Sequence, residues 1–138
     1  ECDGPPTAAI AQSTAQLWRR GTPPACFSIH SCCPAYGEEE RPWDVGVLWN
    51  RDPRIAKPLI EKLAKRGLHV GDNLPYSGRE LAYTLNLHGG AAGLANCVVE
   101  INQDQLRDRE GTRRWAGILA DVMAEILKLD GLHEVREY

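Results

Sequence analysis

Two short apolar runs limit what this chain can fold into. Val45-Gly-Val-Leu-Trp49 is continuously apolar, and Val98–Ile101 is apolar except for one carboxylate, Glu100. Runs this short, bounded by polar turns, read as strands covered on both faces. A third strand is expected at Ala25–Ser31, entered through Thr22-Pro-Pro24. Helical segments alternate with these strands. Thr7–Arg20 carries a partial stripe of Ile10, Thr14, Leu17 and Trp18, and Gly21 stands where a C-terminal cap belongs. Asp52-Pro53 is a helix start, with the carboxylate as cap and proline at the first helical position. Ile55, Leu59, Ile60 and Leu63 form its buried stripe, and Pro58 is expected to kink or loosen its first turn. Glu110–Leu129 is the last helix, with Trp115, Ile118, Leu119, Val122, Ile126 and Leu129 on one face. Glu38–Pro42 reads as a charged loop, and Gly67–Val70 leads into a loop at Asp72-Asn73. The alternation predicts one three-layer α/β/α domain over residues 1–138 with a mixed, mostly parallel sheet.

Composition narrows the function. The 138 residues carry a net charge of −3, without the basic footprint of a nucleic-acid binder. No apolar run approaches the ~20 residues that cross a bilayer, and the first residues lack the basic and apolar regions of a signal peptide. Five cysteines, an odd number, include Cys26 and Cys97 in strand-like runs. They fit the reduced, buried thiols of a cytoplasmic protein better than a disulfide framework. Cys32-Cys33 lacks the two-residue spacer of zinc and thioredoxin motifs.

Two residues stand out for chemistry. Cys26, Ser28 and His30 share one face of their strand, which brings the imidazole to the carboxyl end, where open α/β sheets hold ligands. A buried carboxylate such as Glu100 must be paired, metal-bound or raised in pKa. A histidine at one strand end and a glutamate within another suit a hydrolase that activates water, although a core histidine and a structural ion pair would leave the same pattern. The loop from Asp72 to Ser77 offers the amide of Asn73, the phenol of Tyr76 and the hydroxyl of Ser77; it reads equally as an Asx-type turn. His88 precedes two glycines, as a second imidazole for the site or as a helix end. There is no P-loop, dinucleotide fingerprint or Gly-x-Ser-x-Gly elbow.

Six stretches occur in an order that resembles the N-formylglutamate amidohydrolase family. They are Ile29-His-Ser31 with Pro34, Arg41–Leu48, Asp72-Asn73 with Pro75-Tyr-Ser77, Tyr83-Thr-Leu85, His88-Gly89, and Val99-Glu-Ile101 with Asp104. The resemblance implies a phosphorylase/hydrolase-like fold, similar to zinc carboxypeptidases, and hydrolysis of the amide bond of an N-acyl amino acid. It implies His30 as a zinc ligand and Glu100 as general base. Asn73, Tyr76, Ser77, Arg79, His88 and Asn102 would meet substrate, with Arg79 a candidate for its carboxylate. Where many relatives carry an arginine after the Glu-Ile pair, this chain has Asn102.

Family members are longer, and their early portion supplies a further histidine and an acidic zinc ligand. No histidine precedes Ala25 here. The zinc site is therefore expected to be incomplete, and the chain to correspond to the C-terminal part of such an enzyme, with another chain supplying the remaining half. The competing expectation is a non-catalytic binding or partner subunit that keeps the fold.

Overall fold

Residues 5–75, 77–78 and 89–138 are described by the computed structural model. Their elements are α1 (Pro5–Trp18), β1 (Cys26–Cys32), β2 (Ala35–Tyr36), β3 (Glu39–Glu40), β4 (Val45–Leu48), α2 (Pro53–Lys65), β5 (Val70–Asp72), β6 (Asn96–Asn102) and α3 (Arg109–Ile126). One sheet has the order β1-β6-β4-β5. β1 runs parallel to β6 and β5 parallel to β4, while β4 and β6 are antiparallel. The result is the expected mixed, mostly parallel α/β architecture.

Alternation along the strands sorts side chains onto two faces. Val45, Val47, Cys97, Val99 and Ile101 point to one face, where they form the main core with α2 and α3. From α2 come Ile55, Ala56, Leu59 and Leu63, and from α3 Trp115, Leu119, Val122 and Ile126, all buried. This side of the sheet carries the bulk of the hydrophobic stabilisation, at about 25 cal/mol for each Å² removed from water. On the other face Leu48 and Val98 make a small cluster with Cys26. Ser28, His30 and Glu100 lie on that same face.

Several expectations change. The charged loop at Glu38–Pro42 is in part a strand: Ala35–Tyr36 and Glu39–Glu40 form a two-stranded antiparallel hairpin turned at Gly37, whose φ of 63° favours glycine. Val70–Asp72 is a strand, too short to show any alternation. Pro58 lies inside α2 as expected, and the helix continues past it to Lys65. Leu129 lies beyond the end of α3 and is 41% exposed. The α1 stripe stays in solvent, with Leu17 48% exposed. Cys26, Cys32, Cys33 and Cys97 are free thiols, and Cys2 lies outside the described residues. No helix among the described residues is long and apolar enough to cross a membrane.

One buried ion pair was not foreseen. Asp52 caps α2 by accepting from the Arg54 backbone N–H at 3.0 Å. The same carboxylate pairs with the Arg54 guanidinium at 2.6 Å, both side chains under a tenth exposed. Arg54 also donates to the carbonyls of Gly131 at 3.1 Å and Gly93 at 2.9 Å. It thus ties the C-terminal tail and the loop before β6 to the start of α2. Removing one partner of a buried pair strands the other charge, which typically costs about 3–5 kcal/mol. Arg54→Ala should lose about that much in denaturant unfolding; a loss under about 1 kcal/mol would show that the pair does not hold these segments.

Candidate active site

The register of β1 on β6 sets His30 directly beside Glu100. Both project from the polar face, opposite the main core. On its other side Glu100 is paired with Gly46 of β4, which in turn is paired with Gly71 of β5. Neither glycine has a side chain, and the space is filled by another part of the chain. A Cβ at Gly46 would come 1.9 Å from the Leu74 carbonyl oxygen, and one at Gly71 would come 2.8 Å from the Leu74 Cβ. The loop after β5 therefore crosses the sheet one strand away from Glu100.

That loop is pinned by Asn73, whose backbone is left-handed at φ 54°. Its side-chain oxygen accepts from the Trp49 backbone N–H at 2.8 Å and the Gly78 backbone N–H at 3.1 Å. Gly78 packs against the Trp49 backbone so closely that a Cβ would stand 2.5 Å from it. The Leu74–Pro75 peptide is cis. Ser77 is partly buried in the same loop. Tyr76, Arg79 and His88 lie outside the described residues.

The His30 ring is held by a neighbour on its own strand. Its Nε2 lies 2.9 Å from the Ser28 hydroxyl. Where that hydroxyl accepts from Nε2–H, the Nδ1 lone pair is the one left for a proton or a metal. Glu100 is half-buried, and burial lifts its carboxyl above the ordinary glutamate value. The His30 and Arg41 charges oppose that rise without cancelling it. Arg41 is buried at the start of the segment leading to β4 and lies 5.6 Å from the Tyr36 ring centroid. It also bears on Cys32, whose thiol is pushed up by burial and by Glu100 and pulled down by Arg41.

Asn102, expected to touch substrate, is engaged within the protein. Its amide nitrogen donates to the carbonyls of Arg41 at 3.0 Å and Trp43 at 3.1 Å. Its side-chain oxygen accepts from the Asp104 backbone N–H at 3.0 Å. Both amide hydrogens are used, so Asn102 latches the Arg41–Trp43 segment to the end of β6 rather than presenting a donor to a ligand. Beside it a cavity of about 340 Å³ is lined by Pro34, Glu40, Arg41, Trp43 and Asp104 among others. Arg41 was missed because its partners, Cys32 and Glu100, come from two different strands. Ser28 was placed on the right face, but its bond to His30 depends on a rotamer that a sequence does not display.

Among the described residues no three His, Cys, Asp or Glu side chains gather into a group that could hold a metal. His30 with Glu100 falls short of the three protein ligands that a catalytic zinc takes.

Comparison with known proteins agrees with this geometry. A family model described as N-formylglutamate amidohydrolase matches residues 5–107. The chain belongs to that family, which supports an amidohydrolase type of function. No curated protein matches the chain. A solved structure, described as the crystal structure of gene product Atu2144 from Agrobacterium tumefaciens, is similar with a TM-score of 0.77 and 26% sequence identity. The match covers 87% of this chain and 48% of that one, so this chain spans about half the length of the protein it matches.

The donor count sets an expectation for metal. The isolated chain should lose added zinc on dialysis against a mild chelator, as measured by elemental analysis. Stoichiometric zinc surviving that treatment would require donors beyond those described.

Proposed function

We propose that this chain carries the general-base half of an amidohydrolase site that cleaves the amide bond of an N-acyl amino acid. The supporting observation is the His30–Glu100 pair, two unlike titratable groups side by side on the polar face, in a chain of the N-formylglutamate amidohydrolase family. Glu100 takes a proton from the attacking water as its oxygen bonds to the acyl carbon. It then returns that proton to the amine as the carbon–nitrogen bond breaks, giving a free carboxylic acid and a free amino acid. A carboxyl raised above its usual value is a stronger base than an ordinary glutamate, which suits this transfer near neutral pH. His30 supplies the adjacent positive charge or lone pair, and Ser28 fixes its ring.

The loop over Gly46 forms the nearby wall. Asn73 sets its shape, and Tyr76, Ser77, Arg79 and His88 are proposed to orient the substrate, with Arg79 on its carboxylate. Zinc is the metal that the family likeness implies, and it would polarise the acyl carbonyl. The described residues do not assemble a site for it; its remaining donors would come from another polypeptide or from residues outside those described. The same shortage of donors favours a second reading, a partner subunit that binds the substrate without turning it over.

Substitution of Glu100 separates the readings. Glu100→Gln keeps shape and hydrogen bonding but cannot take the proton, so kcat should fall by about 10²–10⁴ with KM little changed. Stability should move the other way. A carboxyl raised on folding favours the fold most below about 4.5, and that contribution is lost as pH rises through the elevated folded value. The Tm of Glu100→Gln at pH 7 should therefore equal or exceed that of the parent. Assays on N-formyl and N-acetyl amino acids beside thermal melts check both; turnover at the parent rate in Glu100→Gln would end the general-base assignment.

A further inference from the structure

The cavity of about 340 Å³ beside Asn102 lies at the carboxyl ends of β1 and β6, walled by Pro34 just after the one and Asp104 just after the other. Cys32 and Asn102, the last residues of those strands, follow His30 and Glu100 by two positions on the same face. Two residues of strand span about 7 Å. The cavity therefore begins one short step from the proposed general base, and its volume is within the range of small-ligand pockets.

Arg41 is the cation among the described residues that line it, and it is 4% exposed. Its backbone is fixed at both groups: the N–H donates to the Pro34 carbonyl at 2.9 Å, and the carbonyl accepts from Asn102 at 3.0 Å. Its charge acts on both Glu100 and Cys32, so the guanidinium stands near the general base as well as on the cavity. A guanidinium is a planar fork of donors with no acceptor, a shape that fits a carboxylate. Three carboxylates share the lining. Asp44 accepts from the His69 backbone N–H at 2.7 Å and from Gln105 at 2.7 Å, Asp104 pairs with Arg107 at 2.8 Å, and Glu40 is exposed. Trp43 forms another part of the wall and is 8% exposed. Its indole Nε1–H is covered and has no acceptor among the described residues. An acceptor that enters the cavity and shifts the ring would satisfy it.

We propose that Arg41 binds the carboxylate of the N-acyl amino acid, and that the amino-acid part of the substrate lies in this cavity. The inference rests on the amidohydrolase reading and adds to it the group that recognises the charge of the substrate. In such a substrate the scissile carbon and the carboxylate carbon are three bonds apart. With a hydrogen bond at each end, that reach matches the interval from Glu100 to the cavity. A carboxylate accepts at both oxygens, so the same group can also meet Arg79. A carboxamide in its place has one oxygen and no charge, and forfeits the charge-assisted pair.

NMR titrations of the chain with N-formylleucine and with N-formylleucinamide test this. The acid should bind at least about tenfold more tightly than the amide. It should also move the Trp43 indole resonance, assigned by its loss in Trp43→Phe. Arg41→Gln should abolish the preference for the acid, and Arg41→Lys, which keeps the charge without the fork, should retain part of it. Should Arg41→Gln fail to fold in a thermal melt, the lysine variant and the acid–amide comparison in the parent still decide. Equal binding of acid and amide, no binding of either, or a preference that survives in Arg41→Gln overturns the inference; loss of the preference in Arg79→Gln alone gives the carboxylate to Arg79. Acetate should compete weakly, and acetate that binds as tightly as the acid would mean an adventitious ion only and overturns it as well. Hydrolysis that depends on Glu100 without binding that depends on Arg41 would sink this inference alone. Binding that depends on Arg41 without turnover would sink the proposed reaction and leave the carboxylate site standing.

Discussion

The parallel pairing of β1 with β6 is the constraint on which the site depends. β6 is bordered by β1 on one side and β4 on the other, and six of its seven residues are buried. Side chains alternate with a period of two, so a slip of one residue would send His30 to the helix-covered face and separate it from Glu100. Such a slip would also expose Phe27, which packs on the main core from the same strand. The apolar half of the sheet therefore fixes the register that its polar half uses for chemistry.

Glu100 is the residue in tension within that arrangement. Burial disfavours its charge, while His30 and Arg41 partly restore it. Around it the chain has removed bulk rather than added partners. Gly46 and Gly71 clear a track for the Leu74 backbone, and Asn73 clamps the entrance of the loop to Trp49. Asn102 holds Arg41 in place from the end of the same strand that carries Glu100. Each of these contacts shapes the neighbourhood of the carboxylate without neutralising it, and Arg54 secures the opposite end of the fold through carbonyls far along the chain.

Much of this was legible in sequence, where the signal is local. Asp52-Pro53 announces α2, and the stripe in α3 announces its buried face, because capping and periodicity are short-range properties. The period of two likewise placed His30 on one face of its strand with Cys26 and Ser28. What escaped depends on distance or brevity. β5 and the β2–β3 hairpin are too short for any period to register. Arg54 reaches carbonyls 39 and 77 residues away. The polar character of Asn102 was read correctly, but which groups would consume its hydrogen bonds was not, since those belong to a segment some sixty residues earlier.

The central claim is that Glu100 is a poised base and not the buried half of a structural ion pair. Its carboxyl titration, followed by carbon-detected NMR on selectively labelled protein, tests this most directly. The account predicts a midpoint above the ordinary glutamate value of 4.5, raised further when His30→Ala removes the neighbouring imidazole. A midpoint at or below the ordinary value would mean that the carboxylate is already paired, and would contradict the account.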